Sequence, residues 1–146
     1  MGSILSIDYG LKRIGLAISD KSRSFAFPCG VIENKNFKFV LSQIKNIIQA
    51  KEIDLIIIGM PYNQRAGIRE QKLERQPSME KIVSGFVRKL KKNLNISFEL
   101  VDERFSSFAA GENLKESGIS AKKSKKFIDA EAARLILQDY LDSSKN

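Results

Sequence analysis

With 146 residues and a hydrophobic fraction of 42%, the chain is sized for one domain spanning 1–146, with enough apolar side chain for an ordinary core. It has no histidine and one cysteine, Cys29, which excludes the serine and cysteine triads, the usual zinc sites and an internal disulfide. Its 25 basic against 17 acidic residues give a net charge of +8, which suits a polyanionic partner such as nucleic acid but equally serves solubility.

No apolar run is long enough to span a membrane and no leader pattern opens the chain, so a cytoplasmic protein is expected. Ser3 to Asp8 reads as a first strand that ends on an acid, and Tyr9-Gly10-Leu11-Lys12 as a turn. Ile14 to Ser19 and Phe25 to Ile32 complete a β-meander. Phe37, Val40, Leu41, Ile44, Ile47 and Ile48 then recur at helical spacing behind Asn36, a suitable N-cap. Leu55-Ile56-Ile57-Ile58, closed by Gly59-Met60-Pro61, predicts a strand buried on both faces, as in a parallel arrangement.

The stretch from Tyr62 to Ser78 is polar and basic, with Arg65, Arg69, Lys72 and Arg75. A helix is predicted from about Met79 to Lys92, with Ile82, Val83, Phe86, Val87 and Leu90 inward. Ile96 to Val101 makes the next strand, and it runs into Asp102-Glu103. Ser106 could cap a short helix through Leu114. A break at Gly118-Ile119-Ser120 and the lysine run Lys122 to Lys126 lead to the last helix, with Ala130, Ala133, Leu137 and Tyr140 as its packing stripe. The expected architecture is α/β: a mixed five-stranded sheet of a three-strand meander plus two parallel strands, flanked by helices. Ligands of such sheets sit beyond the carboxyl ends of the parallel strands, where Asp8 and the Asp102-Glu103 pair fall.

Each acid has two readings. Asp8 before a glycine turn can present a carboxylate to a metal while Lys12 approaches a phosphate, or it can close an ordinary hairpin. Asp102 and Glu103 point to opposite sides if their strand continues, so one of them would face Asp8. Alternatively they compensate the dipole of a following helix, with Arg104 as an ion-pair partner. Asp129 is brought inward if the small residues of its helix pack close to the sheet, or it is a surface acid; Glu131 is expected to face solvent. Three such acids could bind one or two Mg2+ or Mn2+ ions, and no histidine is then needed. Phe25, Phe27, Phe37, Phe39, Phe86 and Phe98 are expected in the core, and Cys29 is expected to be structural. Tyr9 and Phe105 adjoin the acids, where packing or stacking on a base is open to them.

Four motifs carry a resemblance. Asp8 through Ala17 resembles D-x-G-x-K-R-I-G-x-A, and Gly59-Met60-Pro61-Tyr62-Asn63 resembles G-[LM]-P-x-N. Asp102-Glu103-Arg104-Phe105-Ser106-Ser107 is similar to D-E-R-x-S-[ST], and Lys126 through Leu141 to K-x-x-D-x-x-A-A-x-x-I-L-Q-x-[YF]-[LF]. In that order they resemble the YqgF or RuvX-like proteins of the ribonuclease H-like superfamily.

The resemblance implies a ribonuclease H-like fold, related to Holliday-junction resolvases of the RuvC type. It also implies a Mg2+ or Mn2+ centre at Asp8, Glu103 (or Asp102) and Asp129. Lys12 or Arg13 would steady the scissile phosphate, while Arg104 and the Gly59-to-Asn63 loop shape the site. The implied activity is phosphodiester hydrolysis that trims the 5′ end of the 16S ribosomal RNA precursor. Alternatives are resolution of branched DNA and non-catalytic binding of RNA or the ribosome. Residues 64–75 are longer and more basic than the family pattern. Arg65, Arg69 and the lysine run through Lys126 would grip a nucleic-acid backbone, or stand solvated.

Overall fold

The computed structural model describes residues 2–61, 78–102 and 121–144. The elements are β1 (Ser3–Asp8), β2 (Arg13–Ser19), β3 (Ala26–Glu33), α1 (Phe37–Lys51), β4 (Ile53–Met60), α2 (Met79–Asn93), β5 (Ser97–Asp102) and α3 (Ala121–Ser144). Five strands form one sheet in the order β3-β2-β1-β4-β5. β1 to β3 pair antiparallel, while β4 pairs with β1 and β5 with β4 in parallel. This is the mixed sheet that the meander and the later alternation of helix and strand predict. The short helix expected from Ser106 and the break at 118–120 lie outside the described residues.

Alternation along the strands sends side chains to two helical layers. Leu5 and Ile7 of β1, Ile14 and Leu16 of β2 and Ile56 and Ile58 of β4 pack with Val40 and Ile44 of α1 and with Val83, Phe86 and Leu90 of α2. Ile4, Ala17 and Ile57 face the other way, against Ala133, Ile136, Leu137 and Leu141 of α3. β4 therefore needs an apolar side chain at successive positions, which explains its isoleucine run. Each such fully buried side chain contributes on the order of 1.5–3 kcal/mol.

Helix α1 begins where Asn36 accepts a 2.8 Å hydrogen bond from the Phe39 backbone, as its N-cap assignment predicts. Ser78 caps α2 in the same way, through Lys81 N–H at 3.2 Å. Helix α3 lies close to the sheet because the facing positions are small: Ser6 Oγ donates to the Ala133 carbonyl at 2.9 Å, and Ala17 is fully buried. The helix starts at Ala121, so the lysine run lies within its opening turns instead of leading up to it.

Two core assignments are corrected. Phe25 and Phe27 are 63% and 52% exposed, because they stand before and on β3, an edge strand with a neighbour on one side only. Phe86 is buried, and Phe37, Phe39 and Phe98 are half-buried against the α1/α2 layer, as expected. Cys29 packs against the same layer, and burial raises its thiol pKa against the opposing pull of Lys51.

Candidate acidic site at the carboxyl edge of the sheet

Asp8 ends β1, and its position on the strand fixes the face that it serves. Ile4 packs against the α3 layer and Ser6 bonds to α3, so Asp8, two residues further on, takes the same face. Across the antiparallel pair it stands opposite Gly15. A Cβ on Gly15 would lie 1.9 Å from the Asp129 carbonyl oxygen and 3.2 Å from Ala130 N. Only glycine lets the α3 backbone approach β2 at this height. That approach places Asp129 beside the strand pair that ends in Asp8.

The Asp129 carboxylate is held in turn. Arg13 Nε donates to its Oδ2 at 2.6 Å, with 28% and 26% of the two side chains exposed. Arg13 shares the α3 face of β2 with Gly15 and Ala17, so alternation delivers the guanidinium to the helix. This is a charge-assisted hydrogen bond in a partly buried setting. Arg13 is thus engaged with an acid, whereas Lys12 beside it is exposed.

Asp102 ends β5 in register with Met60. Val101 packs with the α3 layer and Phe98 with the α1/α2 layer, so Asp102 has the alternation of the latter. It is exposed, and β4 separates its strand from β1. Two strand spacings amount to roughly 9–10 Å. Glu103, Arg104 and Asn63, also expected at the site, lie outside the described residues, as do Arg65, Arg69 and Phe105. Among the described residues no three acidic or cysteine side chains come within metal-holding distance of one another.

Glu131 departs from expectation. Its side chain is only 16% exposed, and it binds Arg134 through two hydrogen bonds of 2.5 and 2.6 Å. A partner three residues along the helix lets it stay out of solvent.

A cleft of about 780 Å3 opens beside the Arg13–Asp129 pair, lined by Lys12, Arg13, Lys35, Lys125 and Lys126 among others. Asn34, also in its wall, donates from its side chain to the Gly10 carbonyl and from its backbone to the Lys12 carbonyl, both at 2.9 Å. It pins the turn that carries Lys12. Asn34 and Lys35 were not among the sequence-predicted site residues. They fall in a polar link between β3 and α1, and only the fold brings them to the turn.

A family model described as "RuvX: Holliday junction resolvase" matches residues 2–143. A protein of Maridesulfovibrio salexigens named "Putative pre-16S rRNA nuclease" is 37% identical over 139 residues, covering 94% of this chain and 96% of its own. One of the same name from Rickettsia peacockii is 36% identical over 143 residues, 98% of this chain and 88% of its own. Among solved structures, Thermus thermophilus RuvC in complex with a Holliday junction substrate aligns with a TM-score of 0.56 at 13% identity, over 100% of this chain and 97% of that one. The Fowlpox virus Holliday junction resolvase aligns with a TM-score of 0.56 at 16% identity, over 97% and 99%. At such identities the structures show the fold, a RuvC-like ribonuclease H arrangement. The match to the family model along nearly the whole sequence, together with relatives above 30% identity, establishes that the chain belongs to the RuvX family.

Proposed function

We propose that the chain is a metal-dependent endonuclease that hydrolyses phosphodiester bonds in RNA, with the 5′ side of the 16S ribosomal RNA precursor as its substrate. The observation that carries this reading is the approach of Asp129 to the end of β1 across Gly15, which gathers two carboxylate-bearing positions at the sheet edge. The donors fit a hard cation, since they are carboxylate oxygens and no histidine competes. The pairing of Asp129 with a guanidinium supports the fit, because a positive charge is already accommodated there.

Asp8 and Asp129 would hold Mg2+ or Mn2+ together with a third acid. Glu103, the neighbouring acid of the D-E-R-x-S-[ST] motif, is preferred to Asp102 for that place because the alternation of β5 gives Asp102 the α1/α2 side, away from that of Asp8. A bound divalent ion supplies an activated water and stabilises the leaving oxygen. Arg13 orients the Asp129 carboxylate, which leaves exposed Lys12 as the side chain that steadies the phosphate. Lys126 extends the phosphate path along α3, while Arg104 and Asn63, which the family motifs add to the site, lie outside the described residues.

The RNA substrate is inferred from the relatives named as pre-16S rRNA nucleases, at 36–37% identity over nearly the full chain. The test offers a 16S precursor transcript and a four-way DNA junction to the wild type in Mg2+. Cleavage on the 5′ side of the transcript is expected. Paired, symmetric cuts in the junction with the transcript intact would replace this reading with a resolvase. Tight binding of the transcript without cleavage would replace it with an RNA-binding protein.

A further inference from the structure

We infer that a second cleft, between β1 and α2, is a nucleobase pocket that takes one unstacked base of single-stranded RNA beside the acidic site. The inference deepens the nuclease reading and rests on it for the identity of the ligand. The cleft is about 370 Å3 and is lined by Tyr9, Phe37, Phe86, Lys81, Lys89 and Gly85 among others. Tyr9 directly follows Asp8 and therefore takes the opposite face of β1. A strand crossing the sheet edge with a phosphate at Asp8 can send a flanking base to the Tyr9 side.

The aromatic residues form a floor. Phe86 is 7% exposed, with the Tyr9 ring 4.7 Å from it at 47° and the Phe37 ring 6.2 Å away at 78°. Tyr9 and Phe37 are only half-buried, which leaves ring surface for a ligand. Lys81 and Lys89 are exposed on α2, and Lys89 Nζ stands 5.5 Å above the Phe37 ring. Aromatic rings flanked by cations are the combination that holds single strands, with the rings stacking on bases and the cations following the backbone.

Gly85 is the more pointed observation. Lys81, Gly85 and Lys89 succeed one another at four-residue steps, so they form one stripe on α2 facing the cleft. Glycine in a helix interior is destabilising relative to alanine. No packing demands it here: a Cβ at Gly85 would meet only the far end of Arg88, at 3.8 Å. The missing side chain leaves the cleft open. Asn34 lines both this cleft and the basic cleft by Lys12 and Lys126, so the two share a wall at the pinned turn. A duplex keeps its bases stacked and cannot fill the pocket, whereas a single strand can.

The test measures binding of a fluorescein-labelled single-stranded RNA oligonucleotide, and of the same sequence as an RNA duplex, in chelator so that nothing is cut. Tyr9→Ala and Gly85→Leu should each weaken single-strand binding by roughly tenfold and change duplex binding by less than about twofold, while Tyr9→Phe retains wild-type affinity. Gly85→Leu narrows the cleft from a position where an added Cβ meets only the far end of Arg88, at 3.8 Å, so its melting temperature should match or exceed the wild type's and its result stands if Tyr9→Ala fails to fold. A folded Gly85→Leu protein that binds single-stranded RNA as tightly as wild type would overturn the pocket. Equal losses on single strand and duplex would overturn it as well. Cleavage assays in Mg2+ report separately on the nuclease reading, because the binding comparison needs no turnover.

Discussion

Gly15 stands where two requirements meet, the strand partner of Asp8 and the seat of α3 at Asp129. Gly15→Ala would force a methyl to within 1.9 Å of a backbone oxygen, which cannot rotate away. The helix must shift, so urea denaturation should show a loss of about 1–3 kcal/mol, and cleavage should fall with it. Asp20 gives a pH-dependent prediction. Its Oδ1 accepts from Ser24 N and Phe25 N at 2.8 and 3.2 Å and its Oδ2 from Ser22 Oγ at 2.9 Å, and these bonds hold its carboxyl below the usual 3.8. Its stabilisation is therefore present above that value and lost as pH falls through the lowered one. Asp20→Ala should melt below wild type at neutral pH, and the gap should shrink only at pH values under 3.8. The placement of Asp8 at the end of a strand and of Asp129 on the inward side of the last helix was legible, because alternation and the small residues of that helix predict both. The Arg13–Asp129 bond was not, since its partners lie 116 residues apart and only the packing of α3 on β2 joins them. Glu131 was misjudged for a simpler reason, as Arg134 lets it leave solvent without losing its charge partner.

At the scale of elements, periodicity served best where burial is complete. The isoleucine run of β4 and the helical spacing of α1 and α2 leave little freedom, and both ends of the meander were placed within a few residues. Asn36 was legible as a cap because its side chain answers an unsatisfied donor. Asn36→Ala should cost about 1 kcal/mol in chemical denaturation. In contrast, Gly85→Ala should add roughly 0.5–1 kcal/mol, because the space beside it is open. An unchanged or lowered midpoint for Gly85→Ala would show that the glycine has a packing role. Phe25 and Phe27 misled because aromatic residues in a strand suggest a core, whereas position at the sheet edge decides their exposure. The lysine run carries no apolar period, so its place inside α3 left no trace in the hydrophobic pattern.

For the molecule as a whole, the sheet divides the labour. Its two faces build the core, and its carboxyl edge carries Asp8 with the basic cleft beside it. The excess of positive charge then gains a location, since Lys12, Lys35, Lys125 and Lys126 line one cleft. Binding of single-stranded RNA should weaken as salt rises, and the double variant Lys12→Gln/Lys126→Gln should reduce the logarithmic salt slope by roughly 0.7 for each phosphate that a lysine no longer neutralises. A slope equal to that of wild type would place the RNA elsewhere on the surface. The family and fold were legible at this scale because four motifs recur in order along nearly the whole chain, while the wall that the two clefts share at Asn34 needed the folded sheet. The most direct measurement compares wild type with Asp8→Asn on a 16S precursor transcript in Mg2+ and in Mn2+, after circular dichroism shows both to be folded. Metal-dependent cleavage by the wild type, reduced to background in Asp8→Asn, is the predicted result; equal cleavage by the two proteins would contradict the acidic site.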